Sequence, residues 1–511
     1  MRPIRLIQGF LTVGGWTLAS RILGFVRDIM IAAYLGTGPQ HQAFVIAFSL
    51  PNMFRRFFAE GAFNMAFVPM FSKRLEAGEE AETFARDAMS GLLGILLLLT
   101  LIAQLAMPAL VLAMASGFED ELFDLTVFYG RIAFPYILFI SLAALLSGVL
   151  NAAGRFAAAA AAPVLLNVVF IGAMTGAAIL GADIGDTLIW AVPVAGVAQL
   201  ALVWHAARKA GFTVVPHLPR MTPELKRLAI IAAPAVLAGG VVQVNLLVGR
   251  QVASYYDSAV SWLYNADRLY QLPLGVVAIA IGVVLLPDLS RKLKAEDGDG
   301  ARHSLSRAAE FSLALTLPAA VALVVIPAPL ISVLFQRGAF TAADVGPTAL
   351  ATAIYGIGMP AFVLQKVLQP VFYAREDTKR PFHYAVVAMV VNAALAIGLA
   401  PVIGFIAAAI AASVAGWAMA ALLWVGSRKM GADVQLDARF YGRLPRIIAA
   451  SAIMGAALWL AEAVLHEALY TDTLRYGALA LLIVIGKGVY LAAAHATGAL
   501  RLSELKSSMR R

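Results

Sequence analysis

Apolar runs about as long as a lipid bilayer is thick, some 20 residues each, recur along this chain almost from end to end. Backbone N–H and C=O groups in hydrocarbon must find their partners within the segment, which leaves helices and closed barrels as the only spanning structures. Runs such as Leu92 to Leu101 lack the apolar/polar alternation of a barrel strand. The chain is therefore predicted to be an all-α polytopic membrane protein. Composition agrees: 61% of its 511 residues are hydrophobic and 14% charged, against about 25% charged in soluble domains. The longest polar stretches are connections such as Arg291 to Arg307.

Fourteen spans are predicted, the first six at about 8–35, 41–73, 86–115, 123–153, 160–181 and 187–208. The next six fall at about 224–253, 262–291, 306–335, 345–374, 381–401 and 403–427, and the last two at about 444–466 and 474–497. The basic start, Met1-Arg2-Pro3-Ile4-Arg5, leads into an apolar stretch interrupted by Arg21. It reads as an uncleaved first helix rather than a signal peptide.

Cytoplasmic connections attract Lys and Arg. With the N-terminus inside, alternate connections hold clusters such as Arg208, Lys209, Arg220, Lys226 and Arg227, or Arg428, Lys429, Arg439, Arg443 and Arg446. The remaining connections hold only Arg337 and Arg475, and one of them, Ala115 to Glu121, is acidic. An even number of spans with both termini cytoplasmic follows. Topology thus accounts for the net charge of +9 without nucleic acid as a partner.

Val68-Pro69-Met70-Phe71-Ser72-Lys73-Arg74-Leu75-Glu76-Ala77 recurs as Leu286-Pro287-Asp288-Leu289-Ser290-Arg291-Lys292-Leu293-Lys294-Ala295, and Pro108 to Phe118 has a weaker echo near Pro329 to Phe340. The repeat predicts two six-helix lobes of the same orientation, a transporter device that holds substrate between repeats. The predicted divisions are a first lobe at 1–215, a second at 216–432, and a C-terminal helix pair with its tail at 433–511.

Enzyme signatures are missing. Gly486-Lys487-Gly488 is only a fragment of a phosphate loop, and His466-Glu467 lacks the second histidine of a zinc helix. Without cysteine there is no thiolate chemistry. The run Glu296 to Gly300 lacks EF-hand spacing.

Intramembrane arginines remain. Arg21 and Arg27 lie within the first span, and Arg55 and Arg56 follow Pro51 in the second. An arginine at a bilayer centre costs about 2.5–3.5 kcal/mol on insertion scales and marks function by default. Planar guanidinium forks suit phosphate. A fifth arginine, Arg268, lies in the opposite half beside Asp267. The alternative is simple charge closure, with Arg21 pairing Asp28 and Arg56 pairing Glu60 at i,i+4. Arg21, Arg27 and Arg55 favour the cavity reading because acids are too few. Asp28, Glu60 and Asp267 are the candidate pairing or gating acids. Lys366 and Lys487 are expected to be structural, snorkelling to an interface.

Several stretches carry a resemblance: Ser20 to Asp28, Leu50 to Pro69, Phe134 to Leu138, Trp262 to Pro273, Leu285 to Ser290, Leu334 to Thr341 and Phe372 to Lys379. In that order they resemble the MurJ (MviN) lipid II flippases of bacteria, in the multidrug/oligosaccharidyl-lipid/polysaccharide exporter superfamily. The resemblance implies a multi-pass protein of the bacterial inner membrane, with two lobes around a cationic cavity. Its substrate would be lipid II, the undecaprenyl-pyrophosphate-linked peptidoglycan precursor, moved from inner to outer leaflet by alternating access. It puts the essential arginines at Arg21, Arg27, Arg55 and Arg268 with Arg56 beside them, and implies that the last two helices shape a groove for the lipid tail. No cofactor is required. Na+ and Cl− are implied without assigned ligands, Asp377 being a candidate for cation coupling. Gln42 departs from the acidic residue common in the family, which removes a gating salt bridge there. Membrane lipids and cell-wall synthesis proteins are candidate partners, and a monomer is expected. The competing readings are a flippase for another polyprenyl-pyrophosphate glycan and a membrane scaffold for cell-wall enzymes. A cationic-drug antiporter is disfavoured because the arginines would repel its substrate.

Overall fold

Long apolar segments punctuated by proline and glycine give helices that stop where an N–H is missing or a left-handed residue is needed. The computed structural model describes residues 3–55, 62–230, 247–280 and 285–499, side chains at 3–11, 62–65, 276, 278–280 and 286–287 excepted. Every named element is a helix, and the chain divides into two compact units, Met1–Ser261 and Trp262–Arg511.

The first unit contains α1 (Pro3–Leu35), α2 (Pro39–Arg55), α3 (Ala62–Ala77), α4 (Ala81–Leu105) and α5 (Met107–Ala115). It continues with α6 (Asp120–Ala133), α7 (Tyr136–Ala152), α8 (Ala157–Leu180) and α9 (Ile184–Lys209). Most of the predicted seventh span lies outside the described residues, though 223–230 and 247–253 on either side are helical. The second unit takes most of α10 (Ala259–Ala280), then α11 (Leu286–Lys294), α12 (Gly298–Val325), α13 (Pro327–Phe335) and α14 (Ala342–Tyr373). After these come α15 (Lys379–Ile403), α16 (Ile406–Arg428), a 3-10 turn at Ala432–Val434, α17 (Ala438–Leu469) and α18 (Arg475–Ala496).

Ten helical segments of the described residues are long and apolar enough to cross a membrane. They coincide with the predicted spans three to six and nine to fourteen. The first, second and eighth predicted spans carry the arginines, and the second, seventh and eighth also run through residues outside the description.

Among the described residues three predicted spans are broken rather than continuous, the fourth dividing into α6 and α7 at Phe134 and Pro135. The third divides into α4 and α5 at Ala106, and the ninth into α12 and α13 at Ile326. Both α5 and α13 carry proline in the first turn, where the missing N–H would be unpaired anyway. The same break therefore occurs at the positions of the weaker sequence echo. The stronger echo also has a structural counterpart: Pro69 lies inside α3 and Pro287 in the first turn of α11.

In the first unit Phe44, Tyr129, Phe170 and Ile189 share a core from α2, α6, α8 and α9. In the second, Leu305, Val367, Phe372, Leu423 and Phe440 join α12, α14, α16 and α17. Another cluster, with Ile447, Leu458 and Leu482, packs the last two helices together with residues of α12 and α13.

Polar caps fix several helix starts. Asp183 accepts from the Asp186 N–H at 2.7 Å and from the Gln40 amide at 3.0 Å, and these two bonds hold its carboxyl below the usual carboxylate range. The connection after α5 is pinned within the first unit. Ser116 N–H donates to Gln251 at 3.2 Å and Gly117 N–H to Ser254 Oγ at 3.0 Å. A Cβ on Gly117 would stand 2.5 Å from Tyr255 N and 2.6 Å from the Ser254 carbonyl carbon. Gly117→Ala is therefore expected to destabilise the protein by about 1–3 kcal/mol, the range for overpacking. An unchanged melting temperature in detergent would show that this contact yields freely.

Candidate functional site

Arg27 and Asp28 are 7% and 2% exposed, so their charges must be satisfied by protein. Arg27 Nε and Nη2 both donate to Asp28 Oδ1, at 3.0 and 2.7 Å, and Nη1 donates to Asn167 Oδ1 at 2.9 Å. The guanidinium carbon lies 5.7 Å from the Phe170 ring centroid. Asn167 also donates to the Ser20 carbonyl at 2.9 Å, so one amide ties α8 both to the α1 backbone and to its arginine. Gly24 faces this amide: a Cβ there would lie 3.5 Å from Asn167, an ordinary contact distance.

The predicted Arg21–Asp28 pair does not form. Seven residues of helix separate the two by about 10 Å along the axis, and the neighbouring Arg27 takes the carboxylate instead. Among the described residues Arg21 makes no hydrogen bond or ion pair, and its Nε is buried without a partner. Arg21 and Arg27 are thus different sites. One is locked into the fold, the other is a half-buried cation with donor capacity to spare.

Arg55 ends α2, one turn after Pro51. Pro51 cannot donate to the carbonyl of Ala47, while Asn52 and Ser49 side chains bond back to Phe48 and Val45 carbonyls at 2.8 and 2.5 Å. Phe54 packs edge-on against buried Phe134, with centroids 5.4 Å apart, which anchors the end of α2 beside the α6–α7 break. Arg55 itself is half-buried. Gln42, in the same helix, is 5% exposed. Arg56 and Glu60 lie outside the described residues, and with them the predicted i,i+4 pair.

In the second unit Arg268 is half-buried on α10, its guanidinium carbon 4.4 Å from the Tyr264 ring centroid, a cation–π placement. Asp267 accepts from the Gln271 amide. Asp377 is engaged at the start of α15, accepting from Arg380 N–H at 3.1 Å and pairing its guanidinium at 3.2 Å.

A cavity of about 870 Å³ lies among α12, α17 and α18, walled by Phe311, Pro318, Leu458 and Leu482. Arg307, Glu310, Arg439, Arg443 and Lys487 also line it. Phe311 and Leu491 are 48% and 54% exposed, so this apolar space opens to the surroundings of the helices.

Sequence reasoning missed Asn167, which carries no motif. Its one signal is a lone amide in the apolar run Val164 to Phe170.

Comparison with known proteins decides the family. The profile of the family described as lipid II flippase MurJ matches residues 31–478. The chain belongs to the MurJ family. A probable lipid II flippase MurJ of Rhizobium tropici is 45% identical over 99% of this chain and 97% of its own. A solved structure of the lipid II flippase MurJ in an inward closed conformation is 26% identical, with a TM-score of 0.80 over 95% of this chain and 98% of that one. An inward-facing multidrug-resistance MATE transporter, at 14% identity and a TM-score of 0.69, covers 80% of this chain and 94% of its own and shares the fold.

Proposed function

We propose that this chain is a lipid II flippase, a transporter and not an enzyme, which carries the undecaprenyl-pyrophosphate-linked peptidoglycan precursor across the bacterial inner membrane. The match to the MurJ family over residues 31–478 carries this reading, and the arginines placed in apolar helices supply its chemistry. In the proposed arrangement fourteen spans form a first lobe at 1–215, a second at 216–432 and a helix pair at 433–511, with both termini cytoplasmic. Arg21, Arg55, Arg56 and Arg268 bind the pyrophosphate and neighbouring acceptors. Arg27, held by Asp28 and Asn167, positions α1 and adds positive potential. The apolar cavity beside α17 and α18 takes part of the lipid tail. Rocking of the lobes exposes the headgroup first inside, then outside. Membrane potential bears on each charge moved by about 2.3 kcal/mol per 100 mV. The cycle calls for no organic cofactor, and Na+ or Cl− would act as coupling ions.

The test is expression of the chain in bacteria depleted of their own flippase, with lipid II in the outer leaflet measured by enzymatic labelling. Restored labelling is expected. Wild-type membrane abundance without labelling would overturn the reading, and restoration of a different polyprenyl-linked glycan alone would reassign the substrate.

A further inference from the structure

A second, smaller cavity lies in the second unit, where α12 passes the end of α16 and the start of α17. It measures about 290 Å³, and its wall includes Arg302, Trp424, Arg428, Gln435, Leu436 and Tyr441. Two arginines line it and no carboxylate does.

Three acids of α12 and the connection into α17 are engaged with other arginines. Asp433 pairs with Arg375, Asp437 with Arg307 at 2.6 Å, and Glu310 with Arg443 and, at 3.4 Å, Arg439. Among the described residues neither Arg302 nor Arg428 has an ion pair. Arg302 Nη2 reaches the Leu436 carbonyl at 3.3 Å, while its Nε is buried without a hydrogen-bond partner. The Arg428 guanidinium carbon sits 5.1 Å from the Trp424 ring centroid, and Gln435 ties back to the Arg428 carbonyl at 3.3 Å.

Topology explains why basic residues gather at this end of the helices, but it asks only for solvated ones. It does not require an arginine with buried Nε at a cavity wall, nor a second arginine stacked on a ring beside it. Two guanidinium groups with no ion-pair partner among the described residues, around a small, partly apolar space, make a site for a phosphate oxygen pair. The volume is at the lower end for ligand pockets, about 300 Å³, which admits a headgroup and leaves acyl chains outside. Trp424 and Tyr441 are 38% and 48% exposed, the amphipathic side chains typical of the membrane–water interface.

We propose that this cavity binds the phosphodiester headgroup of an anionic phospholipid from the leaflet on the side of the basic connections, the cytoplasmic one in the orientation given above. This ligand is distinct from the transported lipid. Its headgroup links α12, α16 and α17, and so fastens the last two helices to the rest of their unit.

Native mass spectrometry of the full-length protein in detergent, titrated with dioleoyl-phosphatidylglycerol and dioleoyl-phosphatidylethanolamine, tests the site. Preferential retention of the phosphatidylglycerol is expected. Near-surface arginines contribute about a fivefold preference each, so Arg428→Gln should lower retention about fivefold and Arg302→Gln/Arg428→Gln about thirtyfold. Lys429→Gln, which removes an exposed charge outside the cavity wall, should stay within about twofold of wild type. Arg428 is itself exposed, so its single variant tests binding without threatening the fold. The proposal is overturned if the arginine variants retain the lipid as Lys429→Gln does, or if wild type holds both lipids equally. Displacement of the lipid by millimolar glycerol phosphate would assign the site to a soluble phosphate instead.

Discussion

Replacing Arg21 with alanine is expected to abolish lipid II export while leaving stability within about 1 kcal/mol of wild type. The separation follows from its surroundings. Arg21 has no hydrogen bond or ion pair among the described residues, so truncation strands no partner. Loss of one charge-assisted contact in a desolvated site costs about 2–5 kcal/mol, which corresponds to at least about a thirtyfold loss of headgroup binding. Arg27→Ala behaves differently. It leaves Asp28, 2% exposed, without the guanidinium that grips it, and removing one partner of such a pair costs about 3–5 kcal/mol. Export would then fall together with abundance, and the loss would say nothing about substrate contact. Measured side by side, outer-leaflet lipid II, membrane abundance and melting temperature distinguish the two. Retained export in Arg21→Ala would remove this residue from the binding role. A fall in melting temperature equal to that of Arg27→Ala would make it structural.

Much of this architecture was legible because membrane helices announce themselves locally. Apolar length and charge-poor windows placed ten segments that the structure forms as helices. The repeated Pro-led motifs marked positions where both units show the same helix features. What escaped was set by tertiary contact. The breaks at Ala106 and Ile326 lie inside long, predominantly apolar runs, and the following prolines are their main local signal. Helix periodicity put Arg21 and Asp28 on one face, but sharing a face two turns apart is not contact, and Arg27 could turn its fork back on its neighbour. Asn167 is 140 residues from the arginine it holds, a separation that no local pattern encodes. The same applies to the ion pairs around Glu310, which draw in arginines that topology alone would leave in solvent.

Those ion pairs set up the second large effect: Glu310→Ala is expected to destabilise the second unit by about 3–5 kcal/mol. Glu310 is 6% exposed on α12. It pairs with Arg307 one turn away and reaches across to Arg443 and, at 3.4 Å, Arg439 on α17. Arg307 in turn grips Asp437 at 2.6 Å, the residue that caps α17 by accepting from Phe440 N–H at 2.7 Å. One carboxylate thus stands among three guanidinium groups, and Arg443 is 8% exposed. Without it their mutual repulsion acts in a low-dielectric setting, where water cannot fully screen it. Glu310→Gln keeps an acceptor and should lose less. Replacing Glu310 and Arg443 together by methionine and leucine should recover much of the loss, because an apolar pair of similar volume avoids the desolvation that a buried ion pair must overcome. Thermal unfolding in detergent, with limited proteolysis at the 429–437 connection, reads all three variants. Glu310→Ala melting within about 1 kcal/mol of wild type would mean that these charges are effectively solvated. Attachment of α17 and α18 would then rest on their apolar contacts with α12 and α13.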